Sequence, residues 1–163
     1  MFEIVKNIYV GSEDDYLNYA AGQSDFSVIH AKGEPYYSMG LLEIGNRQSP
    51  LKGYKYLYYQ GSLCLNYSMY DDSVFIVDEM FEECVKYIDR SLEQGQKVLV
   101  HCGEGICRSP SIVFYYLIRK HALGSTFDDA SLNFFKLYPS FTPTSTMVLF
   151  LKQTFEKYSD KTH

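Results

Sequence analysis

The stretch Lys97-Val98-Leu99-Val100-His101-Cys102-Gly103-Glu104-Gly105-Ile106-Cys107-Arg108-Ser109-Pro110-Ser111-Ile112-Val113 decides how this chain is read. Lys97 to Val100 is a short, mostly apolar run with two valines, the pattern of a strand buried in a sheet. From Ser109 to about Ala122 the apolar residues predict a helix, with Pro110 tolerated in its first turn and Gly124 just past its end. Between them lies a loop, with a cysteine at the end of the strand and an arginine opening the helix. Five residues separate the two. Such a loop is a cradle for a phosphate-like anion, because the backbone N–H groups of Gly103, Glu104, Gly105, Ile106 and Cys107 can curl around one charge. The helix N-terminus adds free N–H groups and the positive end of its dipole. Arg108 supplies a planar fork that grips two oxygens at once. Gly103 and Gly105 let the backbone turn and approach a ligand closely. The same positive field favours a thiolate at Cys102, which makes it a candidate nucleophile. With loop amides and Arg108 supplying the positive charge, no metal and no cofactor is expected.

Working outward, Ile4 to Val10 is an apolar burst that ends at Gly11 and predicts one or two short strands. Ser12 can cap a helix over Glu13–Ala21. Asp25–His30, Tyr56–Tyr59 and Leu63–Leu65 are further strand candidates. Residues 31–53 carry Gly33, Pro35, Gly40, Gly45, Pro50 and Gly53 and read as mostly loop. Ser73 caps a long helix in which Val74, Val77, Phe81, Val85, Ile88 and Leu92 form one apolar stripe, while Asp78, Glu82, Lys86 and Asp89 fill the other side. Gly95 stands where a left-handed C-terminal cap is wanted. Further helices start at Ser125 or Thr126, running to about Tyr138, and at Thr144 or Ser145. Strands alternating with helices predict an α/β layered fold: one domain over 1–163, with a short, mostly parallel central sheet flanked by helices.

Composition narrows the function classes. A chain of 163 residues suits one domain with a real core. The formal net charge of −5, with no run of basic residues, argues against nucleic acid as a partner. Met1-Phe2-Glu3-Ile4-Val5-Lys6 lacks a signal-peptide layout, and no apolar stretch approaches a membrane span. The expected setting is therefore a reducing cytoplasm, with no membrane association. There Cys64, Cys84, Cys102 and Cys107 are buried or reactive rather than disulfide-bonded. Cys64 and Cys84 read as structural. Sixteen Tyr and eleven Phe are a heavy aromatic load, read as core and surface both built from rings whose tyrosine hydroxyls stay wet. Arg47, Lys52 and Lys55 read as solvated charges of the loop-rich region.

His101, Cys102, Gly105, Arg108 and Ser109 match HCxxGxxRS, and through it the chain resembles the cysteine-based protein tyrosine phosphatases. Outside the loop it resembles their dual-specificity family. Asn7-Ile8-Tyr9-Val10-Gly11 is similar to that family's opening strand, and the helix before Lys97 to its approach to the loop. Ser125 to Glu156, with Tyr138-Pro139 and Thr142-Pro143-Thr144, is similar to its two closing helices. The resemblance implies a protein tyrosine phosphatase-like fold. It further implies hydrolysis of phosphotyrosine and phosphoserine/threonine monoesters through a phosphocysteine at Cys102. Arg108 would be the phosphate clamp, Ser109 would hydrogen-bond the sulfur and help it leave, and His101 would brace the loop. A phosphorylated protein is the implied partner, and a monomer the expected state.

That family places an aspartate as general acid on a loop before the long helix. Asp71 and Asp72 are the candidates. Asp71 stands 31 positions before Cys102, near the family's usual spacing, and an ungapped overlay of the helix on the family pattern also favours it; Asp72 is the alternative, and both could instead simply favour the helix N-terminus. Cys107 also gives the loop a likeness to the low-molecular-weight tyrosine phosphatases. There a second cysteine can trap the oxidised nucleophile; a small buried side chain under the loop is the other reading of Cys107. Glu104 would repel a polyanion, so phosphoprotein is a better substrate than a polyphosphorylated lipid. An inactive phosphoprotein-binding module, a phosphatase of a nucleotide or an RNA 5′ end, and a sulfurtransferase are the competing readings.

Overall fold

The computed structural model describes residues 1–32, 55–66 and 78–159. The first apolar burst divides into two strands, β1 (Phe2–Val5) and β2 (Ile8–Gly11). Asn7 between them takes φ 67°, a left-handed position that asparagine tolerates. Ser12 then caps a helical turn, α1 (Glu13–Asp15), through a capping box with Asp15. The regular helix predicted over Glu13–Ala21 does not continue. Tyr16–Ala20 is π-helical, closed by a hydrogen bond from the Ala21 N–H to the Tyr16 carbonyl at 2.8 Å. Here tertiary packing overrides the local pattern: Ala20 is buried against Val28 and Leu99, and the Tyr16 ring is flat against His101.

Strands β3 (Phe26–His30), β4 (Tyr56–Tyr59), β5 (Ser62–Leu65) and, after α2 (Asp78–Glu93), β6 (Lys97–His101) complete a sheet of order β1-β2-β6-β3-β5-β4. β2, β6, β3 and β5 run parallel, and β1 and β4 add antiparallel edges. The expected mostly parallel sheet flanked by helices is what forms. α3 (Arg108–Arg119), α4 (Phe127–Leu137) and α5 (Ser145–Ser159) follow.

The main core lies on the sheet face that presents Val10, Ile29, Val98 and Val100, under Phe81, Cys84 and Ile88 of α2 and Met147 and Leu151 of α5. α3 runs through its middle, and every residue from Ser109 to Ile118 is buried, the mark of a helix enclosed on all sides. Phe114 meets Phe134 edge-on at 4.6 Å, and truncating a ring so enclosed costs about 3–5 kcal/mol. Cys64 and Cys84 are buried, as expected of structural cysteines, and burial pushes the Cys84 thiol far up.

Helix ends separate propensity from context. Gly95, at φ 75°, closes α2 in the left-handed conformation, with Gln96 N–H donating to the Ser91 carbonyl at 2.9 Å. α3, predicted to reach Ala122, stops at Arg119. There His121 (φ 54°) takes the role expected of glycine, and Ala122 N–H donates to the Leu117 carbonyl at 3.0 Å. The hydroxyls of the buried tyrosines of α3 have protein partners. Tyr115 and Tyr116 donate to Glu82 at 2.6 Å and Asp89 at 2.8 Å. Glu82, expected on the polar side of α2, instead ties three helices together. It accepts from Arg119 Nε at 2.6 Å and from Tyr158 at 3.0 Å. Burial alone would raise its pKa, but the hydrogen bonds from Arg119, Tyr115 and Tyr158 outweigh it and hold the carboxyl at about 2. Lys55 is ion-paired with Glu79 rather than simply solvated; Arg47 and Lys52 lie outside the described residues. Among the described residues no helix is long and apolar enough to cross a membrane.

Candidate active site

The parallel register brings Gly11, His101 and His30 into one row at the carboxyl ends of β2, β6 and β3. Ligands favour this end of a parallel sheet. Cys102 leaves β6 immediately beyond this row and is 2% exposed. Its backbone N–H donates to the Gly11 carbonyl at 3.3 Å. Its Sγ is met by two groups of the loop it faces: Gly105 N–H donates to it at 3.2 Å, and Ser109 Oγ lies 3.2 Å away. Ser109 Oγ also lies 3.5 Å from the Gly11 carbonyl oxygen. α3, twelve residues long, begins at Arg108 with Cys107 as its N-cap, so the positive end of its dipole faces the sulfur. These donors suit a sulfur carrying negative charge.

Other parts of the chain hold the loop from outside. Glu13 N–H donates to the Gly103 carbonyl at 3.2 Å, and Thr142 N–H to the Ile106 carbonyl at 2.7 Å. Tyr138 Oη donates to the Gly105 carbonyl at 2.7 Å. With these carbonyls engaged by other segments, loop N–H groups other than that of Gly105, which meets Cys102 Sγ, can turn towards an anion. Gly105 has φ 77° and packs on the backbone of Gly11: a Cβ there would lie 2.9 Å from the Gly11 carbonyl carbon and oxygen. Gly103 is under no such constraint. A Cβ there would come no closer than 3.7 Å, to Nη2 of Arg108, which places the guanidinium beside the loop. Glu104 is exposed, and Ile106, Cys107 and Arg108 are half-buried. The Cys107 carbonyl accepts from Ser111 Oγ at 2.6 Å.

His101 is buried directly behind the cysteine. Its Nε2 lies 2.6 Å from Nδ1 of His30, also buried. The rings meet edge to face at 4.7 Å, and Tyr16 stacks flat on His101 at the same separation. Burial pushes His101 down to about 4; the nearby Cys102 backbone opposes the shift, and the charges of Lys32 and Arg108 add to it. Burial also lowers His30, to about 3, with the charges of His101 and Lys32 adding and Glu13 opposing. Both rings are therefore neutral at physiological pH. Lys32 is paired with Glu13 at 2.7 Å.

The structure thus gathers His101, Cys102, Gly105, Arg108 and Ser109 around one cradle. Asp71 and Asp72 lie outside the described residues. Sequence reasoning missed His30, Gly11, Glu13 and Tyr16. One signal was present for His30: its strand candidate ends in a histidine, as β6 does, and parallel neighbours in register bring such ends together.

The sequence matches the family profile described as "Dual specificity phosphatase, catalytic domain" over residues 45–149. Dual specificity protein phosphatase 1B of Arabidopsis thaliana is 48% identical over 44 residues, 27% of this chain and 26% of that protein. A "Probable dual specificity protein phosphatase" of Dictyostelium discoideum is 26% identical over 116 residues, 70% of this chain and 47% of that protein. The matches thus span between about a quarter and a half of these relatives' length. The crystal structure of DUSP15 superposes with a TM-score of 0.66 at 21% identity, covering 99% of this chain and 90% of that one.

Proposed function

The chain belongs to the dual specificity phosphatase catalytic-domain family, and on that premise we propose that it hydrolyses phosphomonoesters of protein side chains through a covalent phosphocysteine at Cys102. The observation that carries the reading is the buried Cys102 Sγ, which receives Gly105 N–H and faces Ser109 Oγ at the N-terminus of α3. A substrate phosphate seated in the loop is held by its N–H groups and by Arg108. Cys102 Sγ attacks phosphorus: an S–P bond forms, the P–O bond to the substrate breaks, and the leaving oxygen takes a proton from Asp71. In the second step water attacks phosphorus, Asp71 takes its proton and the S–P bond breaks. Inorganic phosphate leaves, and Ser109 stabilises the departing thiolate. Donors fixed where charge develops need no reorganisation during either step. Glu104, exposed in the loop, repels additional phosphates and supports a singly phosphorylated side chain over a polyphosphorylated lipid. Residues 1–163 are read as one catalytic domain, acting as a cytoplasmic monomer without metal.

The test is hydrolysis of a small aryl phosphate in EDTA. Wild-type turnover should vanish in Cys102→Ser and fall strongly in Asp71→Ala. A reduced, folded wild type that binds phosphate without turnover would make the protein a phosphate-binding module, with Cys102 a ligand contact.

A further inference from the structure

The ion pair between Lys32 and Glu13 differs from the others that lysine makes in the described residues. Lys55, Lys97, Lys120 and Lys157 meet their carboxylates with 34–50% of the lysine side chain exposed, and surface pairs of that kind contribute little. The Lys32 side chain is 12% exposed, and its Nζ donates to Oε2 of Glu13 at 2.7 Å. Enclosing an ammonium to that degree is costly unless a charged partner meets it.

The place of the pair accounts for the enclosure. β2 and β3 lie on either side of β6, with Gly11 and His30 both in register with His101. Ala31 N–H donates to the His101 carbonyl at 2.8 Å, and Cys102 N–H to the Gly11 carbonyl at 3.3 Å. Glu13 stands two residues past the end of β2, and Lys32 two residues past the end of β3. The pair therefore joins the two flanks of β6 across the point where the chain leaves the strand for the loop. The Glu13 backbone marks the crossing, because its N–H donates to the Gly103 carbonyl at 3.2 Å. Glu13 thus grips the loop by its main chain and the end of β3 by its side chain. Ser12 and Asp15 supply the capping box of α1, so the Glu13 carboxylate is not needed there.

We propose that Lys32 is a positioning residue for the anion cradle: by holding the Glu13 side chain from the end of β3, it straps α1 across the root of the loop and fixes the Gly103 peptide that follows Cys102. The inference rests on the reading of the Cys102 loop as a phosphate cradle. A trans peptide directs its C=O and N–H oppositely. Tying the Gly103 carbonyl to Glu13 therefore also sets the direction of the Glu104 N–H, one of the donors that the cradle offers an anion. A lysine near such a site has a simpler role open to it, which is attraction at a distance. The two roles make opposite demands on Glu13. As an independent charge it repels the anion, whereas as half of a strap it serves anion binding.

The test is a double-mutant cycle built from Lys32→Met, which keeps an apolar stem, and Glu13→Ala, which keeps the backbone N–H. Inorganic phosphate is titrated into each reduced protein. The scalar coupling across the hydrogen bond from Glu13 N–H to the Gly103 carbonyl reads the strap directly, and a role in stability alone would not move it. The coupling should be present in wild type and shrink in Lys32→Met, and the phosphate Kd should rise about three- to fivefold. Glu13→Ala should weaken phosphate binding as well, and the double variant should be no worse than either single change. Tighter phosphate binding by Glu13→Ala, or losses that add in the double variant, would overturn the proposal and leave Lys32 a distant charge. A coupling absent from wild type, or unchanged in Lys32→Met, would overturn it too. Neither readout needs turnover, so a wild type that binds phosphate without hydrolysing it would sink the phosphatase reading alone.

Discussion

Replacing Gly105 by alanine should disable the loop, whereas the same change at Gly103, two residues earlier, should be nearly silent. At Gly105 two costs add. The residue sits at φ 77°, and an L side chain in the left-handed region costs about 1–2 kcal/mol. The new Cβ would also lie 2.9 Å from the Gly11 carbonyl carbon and oxygen and 3.1 Å from Ser12 N. These are backbone atoms that no rotamer change can move, and relieving such overpacking costs about 1–3 kcal/mol. The sum is a destabilisation of about 2–5 kcal/mol. The relief also has a direction: it pushes the loop off β2 and carries the Gly105 N–H away from the sulfur it meets at 3.2 Å. Losing one preorganised donor to a developing charge lowers turnover about 100- to 1,000-fold. At Gly103 the added Cβ meets only Nη2 of Arg108, at an ordinary 3.7 Å. The expected stability change there is under about 1 kcal/mol, and in the stabilising direction, because alanine restricts the unfolded chain. Urea unfolding of the two variants, with aryl phosphate turnover on the same preparations, gives both quantities. A Gly105→Ala protein within about 1 kcal/mol of wild type, or two variants that lose activity alike, would refute the close approach of Gly105 to Gly11 as the constraint.

Other perturbations separate the supports of the site. Burial depresses His30 to about 3 and His101 to about 4, from 6.5 in the unfolded chain. Below 6.5 the unfolded state therefore takes up protons that the folded state refuses. Stability should fall by about 2–4 kcal/mol between pH 7 and pH 5, read by urea unfolding, and His30→Asn should lose less; a flat profile would contradict burial of the pair as neutral rings. Glu82 acts in a different window. Its depressed pKa contributes stability that is complete above 4.5 and lost as pH falls towards 2, so Glu82→Gln should cost about 1–2 kcal/mol at pH 7 after allowance for solvent screening, equally at pH 6. Tyr138→Phe removes the hydroxyl that holds the Gly105 carbonyl and should cost about 1 kcal/mol, with a several-fold drop in kcat/KM; unchanged turnover would show that the loop does not need this support. Peroxide should convert Cys102 to a sulfenic acid that condenses with the Cys107 thiol, releasing water and forming a disulfide reversible by dithiothreitol. Mass spectrometry showing no 102–107 linkage would leave Cys107 a packing residue.

What the sequence made legible was local. The strand, loop and helix around Cys102 need only residues 97–119, and there periodicity, the placement of Pro110 and the Cys102-to-Arg108 spacing all agree. The long helix over Asp78–Glu93 and its Gly95 cap were legible for the same reason, while the predicted cap at Ser73 and the stripe residues Val74 and Val77 lie outside the described residues. The π-helical turn at Tyr16–Ala20 was not, because its register is set by Ala20 against Val28 and by Tyr16 on His101, contacts made across the sheet. The end of α3 was misplaced because His121 accepts a backbone conformation that propensity assigns to glycine. His30 was not read as a site residue because its one signal, a histidine ending a strand, gains meaning only when strand pairing brings it beside His101. Glu82 looked like solvent-facing charge until α3 and α5 supplied Tyr115, Arg119 and Tyr158.

The outer anchors of the loop carry a consequence in time. Gly11 and Glu13 precede Cys102, while Tyr138 and Thr142 follow it. On a ribosome the cysteine emerges well before its last two anchors exist, so the signature motif can be complete in sequence and still lack its final geometry. On the phosphocysteine reading proposed above, Cys102 would lack its finished cradle until the closing helices are made. A chain stalled or cleaved between Arg119 and Tyr138 would carry the whole motif and remain inert.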